Sequence, residues 1–374
     1  MTDRCLHVLT RLILWVAATV VAVTAPGCAG ERGYGPEMPV APEGVEYQAG
    51  FILTVSDEAG GAETVSRTPD GDYDPGEGWE NHIDLDNRNI RVLVYTADNR
   101  FVRELGDFDI MPYSSVPGSK TYHLVCRVKE EEKWDAGFKM MILANWPSYP
   151  DFAQGLGGVW QSAYTYDPSP LSATNLIPLY GIKECDRELE EDRYVDLGTI
   201  HLLRAMAKVE VVFPAENNPF DFWEIEKMEI TRHNARGLCA PEGVMDEEDY
   251  VKGYYDGDYV STPSIPAGAE TADPLPMTVL EKNRRWMVYL PEYRNVGRAD
   301  GEKARIHVKF KDSGVEYEQF IDFRYYKEDG KEFDILRNNW YRYVLSKNAE
   351  EQDLTIEVDV RFYASVELRP GFGR

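Results

Sequence analysis

Cysteine is scarce in this chain: five among 374 residues, at positions 5, 28, 126, 185 and 239. They are too few and too scattered for a disulfide scaffold. None forms a C-x-x-C pair and the six histidines lie far apart in sequence, so no metal centre is expected. Apolar runs are short as well. The run Leu12–Val23 falls well below the roughly 20 residues that span a bilayer. Positive charge is in deficit, with 40 Lys and Arg against 65 Asp and Glu, for a net charge of −25. Such a chain repels phosphate backbones and anionic lipid, which excludes nucleic acid as a partner. Helical periodicity is thin, with only 129–136 and 184–192 as candidates. No G-x-S-x-G, phosphate-cradling glycine loop or H-E-x-x-H occurs. With 65 acids, no particular carboxylate pair points to glycosidase chemistry. The chain is therefore read as no enzyme, with no cofactor.

What is present begins at the N-terminus. Arg4, His7 and Arg11 precede the apolar run, and Ala25, Pro26, Gly27 and Cys28 follow it. A basic start, a short apolar stretch and small residues before a cut are the marks of a secretory signal. Small residues ending at a cysteine resemble a bacterial lipoprotein signal, in which Cys28 is acylated and becomes the new N-terminus. Acyl chains hold a protein on a membrane without a spanning segment. Residues 1–27 are thus expected to be the signal and 28–44 a flexible tether. Ordinary secretion with an incidental Cys28 is the bland alternative.

Beyond residue 45 the dominant period is two. Phe51, Leu53 and Val55 alternate with Ile52 and Thr54, and Ile90, Val92 and Val94 with Arg91, Leu93 and Tyr95. The same pattern marks 209–213, 306–310 and 315–325. Its longest instance is near the end: Leu354, Ile356, Val358, Val360 and Phe362 on one face, Thr355, Glu357, Asp359 and Arg361 on the other. Alternation of this kind predicts strands packed on one side only. Gly, Pro, Asp and Asn clusters at 68–78, 145–150, 167–170 and 263–276 separate them. The fold class is all-β, most simply two antiparallel β-sandwiches in tandem, over 45–198 and 199–374.

Two loop segments invite functional readings. The acidic stretch Asp70–Glu77 resembles the start of a calcium loop, but Pro75 and Asn81 stand where such a loop needs its glycine and its bidentate glutamate. A solvated turn is the better reading. Trp146, Trp160 and Tyr166 lie in Gly-, Ser- and Pro-rich sequence and could form an exposed sugar-stacking or protein-contact surface. The alternative is that they pack loops and core. Arg67, in a Gly-, Pro- and Asp-rich connector, is an open site for a trypsin-like protease.

Four stretches together resemble the fimbrillins of Bacteroidetes, subunits of the type V pilus. These are the signal ending at Cys28, Phe138–Asn145, Leu203–Val212 and Ile335–Tyr343, with Leu290–Tyr293 as a weaker match. The resemblance implies two transthyretin-like sandwiches. It also implies an outer-membrane lipoprotein precursor whose first strand is cut away by a trypsin-like protease, here after Arg67. The emptied groove then takes a C-terminal strand from another fimbrial subunit. Leu354, Ile356, Val358, Val360 and Phe362 would be that donor. The implied role is a stalk or tip subunit of a cell-surface fimbria. A lipid-retaining anchor subunit, or an outer-membrane glycan-binding lipoprotein, is the alternative.

Overall fold

Alternating side chains become strands where an apolar face can be buried, and here almost every such stretch does so. The computed structural model describes residues 47–55, 79–85, 89–116, 119–129, 137–189, 194–213, 223–243, 262–312, 314–326, 330–347 and 354–362. All lie within one compact unit, 41–368. The first ten strands are β1 (Tyr47–Val55), β2 (Ile90–Tyr95), β3 (Phe101–Leu105), β4 (Phe108–Val116), β5 (Ser119–Val128), β6 (Phe138–Ala144), β7 (Ala163–Thr165), β8 (Leu179–Cys185), β9 (Tyr194–His201) and β10 (Leu203–Arg204). Two sheets arise from them, ordered β4-β5-β1-β9 and β10-β8-β6-β2-β3. They share a core in which Phe51 and Leu53 of the first sheet meet Val92, Val94, Met140 and Ile142 of the second. Pro112 lies on the edge strand β4, beside a register shift, the kind of strand position that tolerates proline.

The remaining strands are β11 (Ala207–Val212), β12 (Trp223–Ile230), β13 (His233–Asn234), β14 (Arg236–Leu238), β15 (Glu270–Thr271), β16 (Leu275–Pro276), β17 (Thr278–Glu281), β18 (Arg285–Leu290), β19 (Arg305–Asp312), β20 (Val315–Asp322), β21 (Asn339–Lys347) and β22 (Leu354–Phe362). They build a second pair of sheets, β17-β18-β11-β21-β22 and β16-β12-β19-β20. Val209, Val211, Tyr341 and Tyr343 face Ile230, Ile306, Val308 and Ile321 in its core. Two short ladders, β7-β14 and β13-β15, complete the described sheets.

The expectation of strands packed on one side fails for β2 and β6. Every residue of β6 is buried. Met140 and Ile142 point into the first core, while Met141 and Leu143 join Leu93 and Tyr95 in the cluster that runs on into the second sheet pair. A strand covered on both faces has no reason to alternate, hence its unbroken Phe-Lys-Met-Met-Ile-Leu-Ala run. The change of sheet pair also lies later than residue 198. β9 stays paired with β1 on both sides of that point, and Ile200 and Leu202 fill the first core. The chain crosses between β10 and β11, at Ala205 and Met206. The apolar stretch 200–213, which reads as one run, is thus three strands in three sheets.

Of the helical candidates, 130–136 and 190–192 lie outside the described residues. Glu184 and Cys185 end β8 instead. The described helix is short, α1 (Leu156–Trp160). Among the described residues no helix is long and apolar enough to cross a membrane.

Candidate functional site

The strand β1 sits inside its sheet, antiparallel to β5 and parallel to β9. All nine of its residues are in register with β5, from Tyr47 opposite Val128 to Val55 opposite Lys120. Its inward side chains Ala49, Phe51 and Leu53 are fully buried. On the β9 side the register shifts between Gly50 and Ile52, where Gly198 takes up the extra residue at φ +86°. Glycine is the residue that reaches this conformation without strain.

The outer face of β1 is crossed by a side-chain strap. Tyr194 of β9 reaches over Gly50 to His123 of β5, with its hydroxyl 2.9 Å from His123 Nε2. Only a glycine leaves room for it: a Cβ at position 50 would lie 2.0 Å from the tyrosine oxygen. Burial holds His123 below the usual histidine pKa, partly offset by Asp196.

A buried polar seam joins the two sheet pairs. The 3₁₀ turn Trp79–Asn81 carries Glu80, whose Oε2 accepts from Lys208 Nζ at 3.1 Å and from the Tyr289 hydroxyl. Glu80 and Lys208 side chains are both wholly buried. Arg204 donates to Asn81, to the Glu80 carbonyl at 3.3 Å and to Asn338 Oδ1 at 3.1 Å. Arg337 grips Glu292 through Nε (3.0 Å) and Nη2 (2.8 Å) and donates to the carbonyls of Leu238 and Cys239. In a low-dielectric interior a charge is tolerable only when paired and hydrogen-bonded in this way.

The short words that carry the fimbrillin resemblance fall on these joints. Asn145, which ends the β6 stretch, adopts φ 62° and ties three segments: it accepts from Asp84 N and donates to the carbonyls of His82 and Ile177. Arg204 and Lys208 belong to the stretch 203–212, Glu292 to the weaker one, and Arg337 and Asn338 to the last. Asn338 is also left-handed, at φ 55°.

The sequence-predicted site residues fare differently. Cys28, Arg67 and the acidic stretch 70–77 lie outside the described residues. Leu354, Ile356, Val358, Val360 and Phe362 all lie in β22, an edge strand paired along its length with β21 of the second sheet pair. Ile356 and Val358 pack, half-buried, on that pair's core. The donor candidate and the groove candidate are therefore in different sheets. The exposed-aromatic reading needs correction. Trp146 is 2% exposed and donates to the Leu179 carbonyl at 2.9 Å; Tyr166 is 7% exposed and donates to the Tyr289 carbonyl at 2.6 Å. Trp160 is half-buried against the same cluster. The segment between β6 and β8 folds over the outer face of the second sheet, which turns these rings inward.

Cys126, Cys185 and Cys239 are free and buried, and burial pushes each thiol up to about 12. Thiols so disfavoured as thiolates are packing groups. Among the described residues no three His, Cys, Asp or Glu gather as metal ligands.

Sequence reasoning passed over Gly50, Tyr194, His123 and Glu80. An isolated glycine inside a strand pattern signals close approach of another group, and Gly50 carried that signal. The other three had none, since their partners lie at least 71 positions away in sequence.

No family model matches the chain, and no curated protein matches it. Among solved structures, it is similar to the tip fimbrial protein Mfa3 of Porphyromonas gingivalis with a C-terminal truncation, at 14% identity and TM-score 0.49 over 84% of this chain and 100% of that one. Candidate cell adhesion proteins of Bacteroides uniformis (7%, TM-score 0.47, 87% and 100%) and Bacteroides eggerthii (11%, TM-score 0.41, 87% and 98%) are also similar. Its structural neighbours are fimbrial and adhesion proteins of Bacteroidetes.

Proposed function

We propose that the chain is a structural subunit, stalk or tip, of a cell-surface fimbria, assembled by strand exchange. Each sheet pair is read as a transthyretin-like sandwich. The precursor is anchored to the outer membrane through acylated Cys28, and a trypsin-like protease cuts after Arg67. The observation that carries this reading is the position of β1: an internal strand that is also the first described strand of the chain. It connects to the rest only through 56–78, the stretch that contains Arg67.

Once that connection is cut, β1 can leave without unthreading anything. Its loss takes Phe51 and Leu53 from the core, worth about 1.5–3 kcal/mol each. It also leaves β5 and β9 facing one another across a gap of roughly 9–10 Å, two strand spacings. Such a groove accepts an extended segment, with ladder bonds giving affinity and alternate side chains giving fit. β22 has the alternation to fill it and is held at home on one side only.

The test treats the full chain with trace trypsin, sequences the new N-terminus and runs the product unboiled in detergent. A cut after Arg67 with a ladder of stable multimers is expected, and the Arg67→Gln chain should give neither. A clean cut at Arg67 that yields only monomers at high concentration would overturn strand exchange.

A further inference from the structure

At the seam, between the turn Trp79–Asn81, the loop after β7 and the strands β17 and β18, lies a cleft of about 120 Å³. Glu80 lines it and is 1% exposed. One of its carboxylate oxygens is committed to Lys208 and Tyr289. The other, Oε1, is buried with no hydrogen-bond partner among the described residues. A buried acceptor left so is a standing cost that a donor from outside would remove.

The cleft's charge says which donor fits. Lys208 neutralises Glu80 once. A second acid, Asp167, also lines the cleft and is exposed. The Ser169 backbone N–H, at 2.8 Å, holds its carboxyl below the usual aspartate pKa. Arg204, buried and donating to the Glu80 carbonyl, adds a second positive charge, so the four groups cancel in sum; Asp167 is the exposed charge on the cleft wall, and the net charge of −25 concentrates cations around the molecule. The rest of the wall is largely apolar, with Pro168, Pro170, Leu171 and Met206. That suits an alkyl stem and offers few partners to the many hydroxyls of a sugar. A cavity of about 150 Å³ takes one benzene, so there is room for a short chain and its head.

We propose that this cleft binds a primary alkylammonium group, as at the end of a lysine side chain, with the ammonium on Glu80 Oε1, its charge balanced by Asp167 and its stem along the apolar wall. Trp79 and Tyr289 line the same cleft.

The experiment is saturation-transfer NMR on the full chain at pH 7 with n-butylammonium, repeated with 1-butanol. Saturable transfer to the amine, with the alcohol at least tenfold weaker, is expected. Asp167→Asn should weaken the amine at least threefold. Thr278→Trp, at an exposed wall position on an edge strand, should abolish binding while leaving the seam untouched. Nα-acetyl-lysine N-methylamide separates the sources: binding equal to the amine means a protein lysine, and none means a free amine. Equal transfer to amine and alcohol, or binding unchanged by Thr278→Trp, overturns the site. None of these readouts involves multimer formation, so this site and strand exchange stand or fall separately.

Discussion

The strands β1 and β22 have the same length, nine residues, and similar alternation, yet the molecule holds them differently. β1 is laddered on both sides, contributes fully buried side chains and is strapped by Tyr194 and His123. β22 is laddered on one side only, to the strand just before it in sequence, and the described side chains it turns inward, Ile356 and Val358, are half-buried. Pattern alone thus tells that a segment is a strand, and neighbours decide how hard it is to remove. A strand this deeply seated gives up two ladders and its buried side chains when it leaves. One held at an edge can exchange partners without the rest of its sheet coming apart.

The sharpest way to break that contrast is at assembly. Replacing Ile356 and Val358 together by Asp should abolish multimers after trypsin treatment while circular dichroism reports a folded monomer; unaltered multimers would remove β22 as the donor. Next comes the core. Phe51→Ala should cost about 3–5 kcal/mol in urea unfolding, and Val358→Ala clearly less, since its site is half-exposed. Equal losses would erase the distinction between the two strands.

The seam gives a control outside both strands. Lys208→Met should cost about 3–5 kcal/mol by leaving Glu80 buried and unpaired, and adding Glu80→Gln should recover most of it. Gly50→Ala should cost about 1–3 kcal/mol, as Tyr194 is pushed off its strap. Combining it with Tyr194→Ser should be less harmful than the sum of the two changes.

The smallest effect is with pH. Burial lowers the folded pKa of His123, so the unfolded chain binds its proton first. The stability tied to this group is full above the unfolded value of about 6.5 and is lost as pH falls from there through the lowered folded value. Burial lowers His233 as well, and it adds to the same slope. Melting temperatures between pH 7.5 and 5 should fall less steeply for His123→Gln than for the parent.

Much of the β architecture is legible in sequence. The alternation at 90–95, 306–310 and 354–362 coincides with β2, β19 and β22, because these segments pair along their length with neighbouring strands. The errors have a common cause in long-range packing. Trp146 and Tyr166 sit among Gly, Ser and Pro, a composition that suggests open loop, and only the sheet beneath and Tyr289, 123 positions from Tyr166, make them interior. The 198/199 boundary misses for a related reason: local charge drops there, but Ile200 and Leu202 still belong to the first core. The words Ala-Asn, Arg-x-x-Ala-Lys-Val and Leu-Arg-Asn-Asn are visible in the chain. Their work as left-handed corners and buried charge joints is visible only once the segments meet.

The slot occupied by β1 also has a mechanical meaning. A strand seated between two ladders and drawn along its own length loads every rung on both sides at once, so the joint resists in shear until all give together. A hairpin such as β21–β22, pulled apart from its open end, loses its rungs one after another under a much smaller force. A filament linked through the β1 slot would carry tension at its strongest geometry, along the direction in which a surface fibre is pulled.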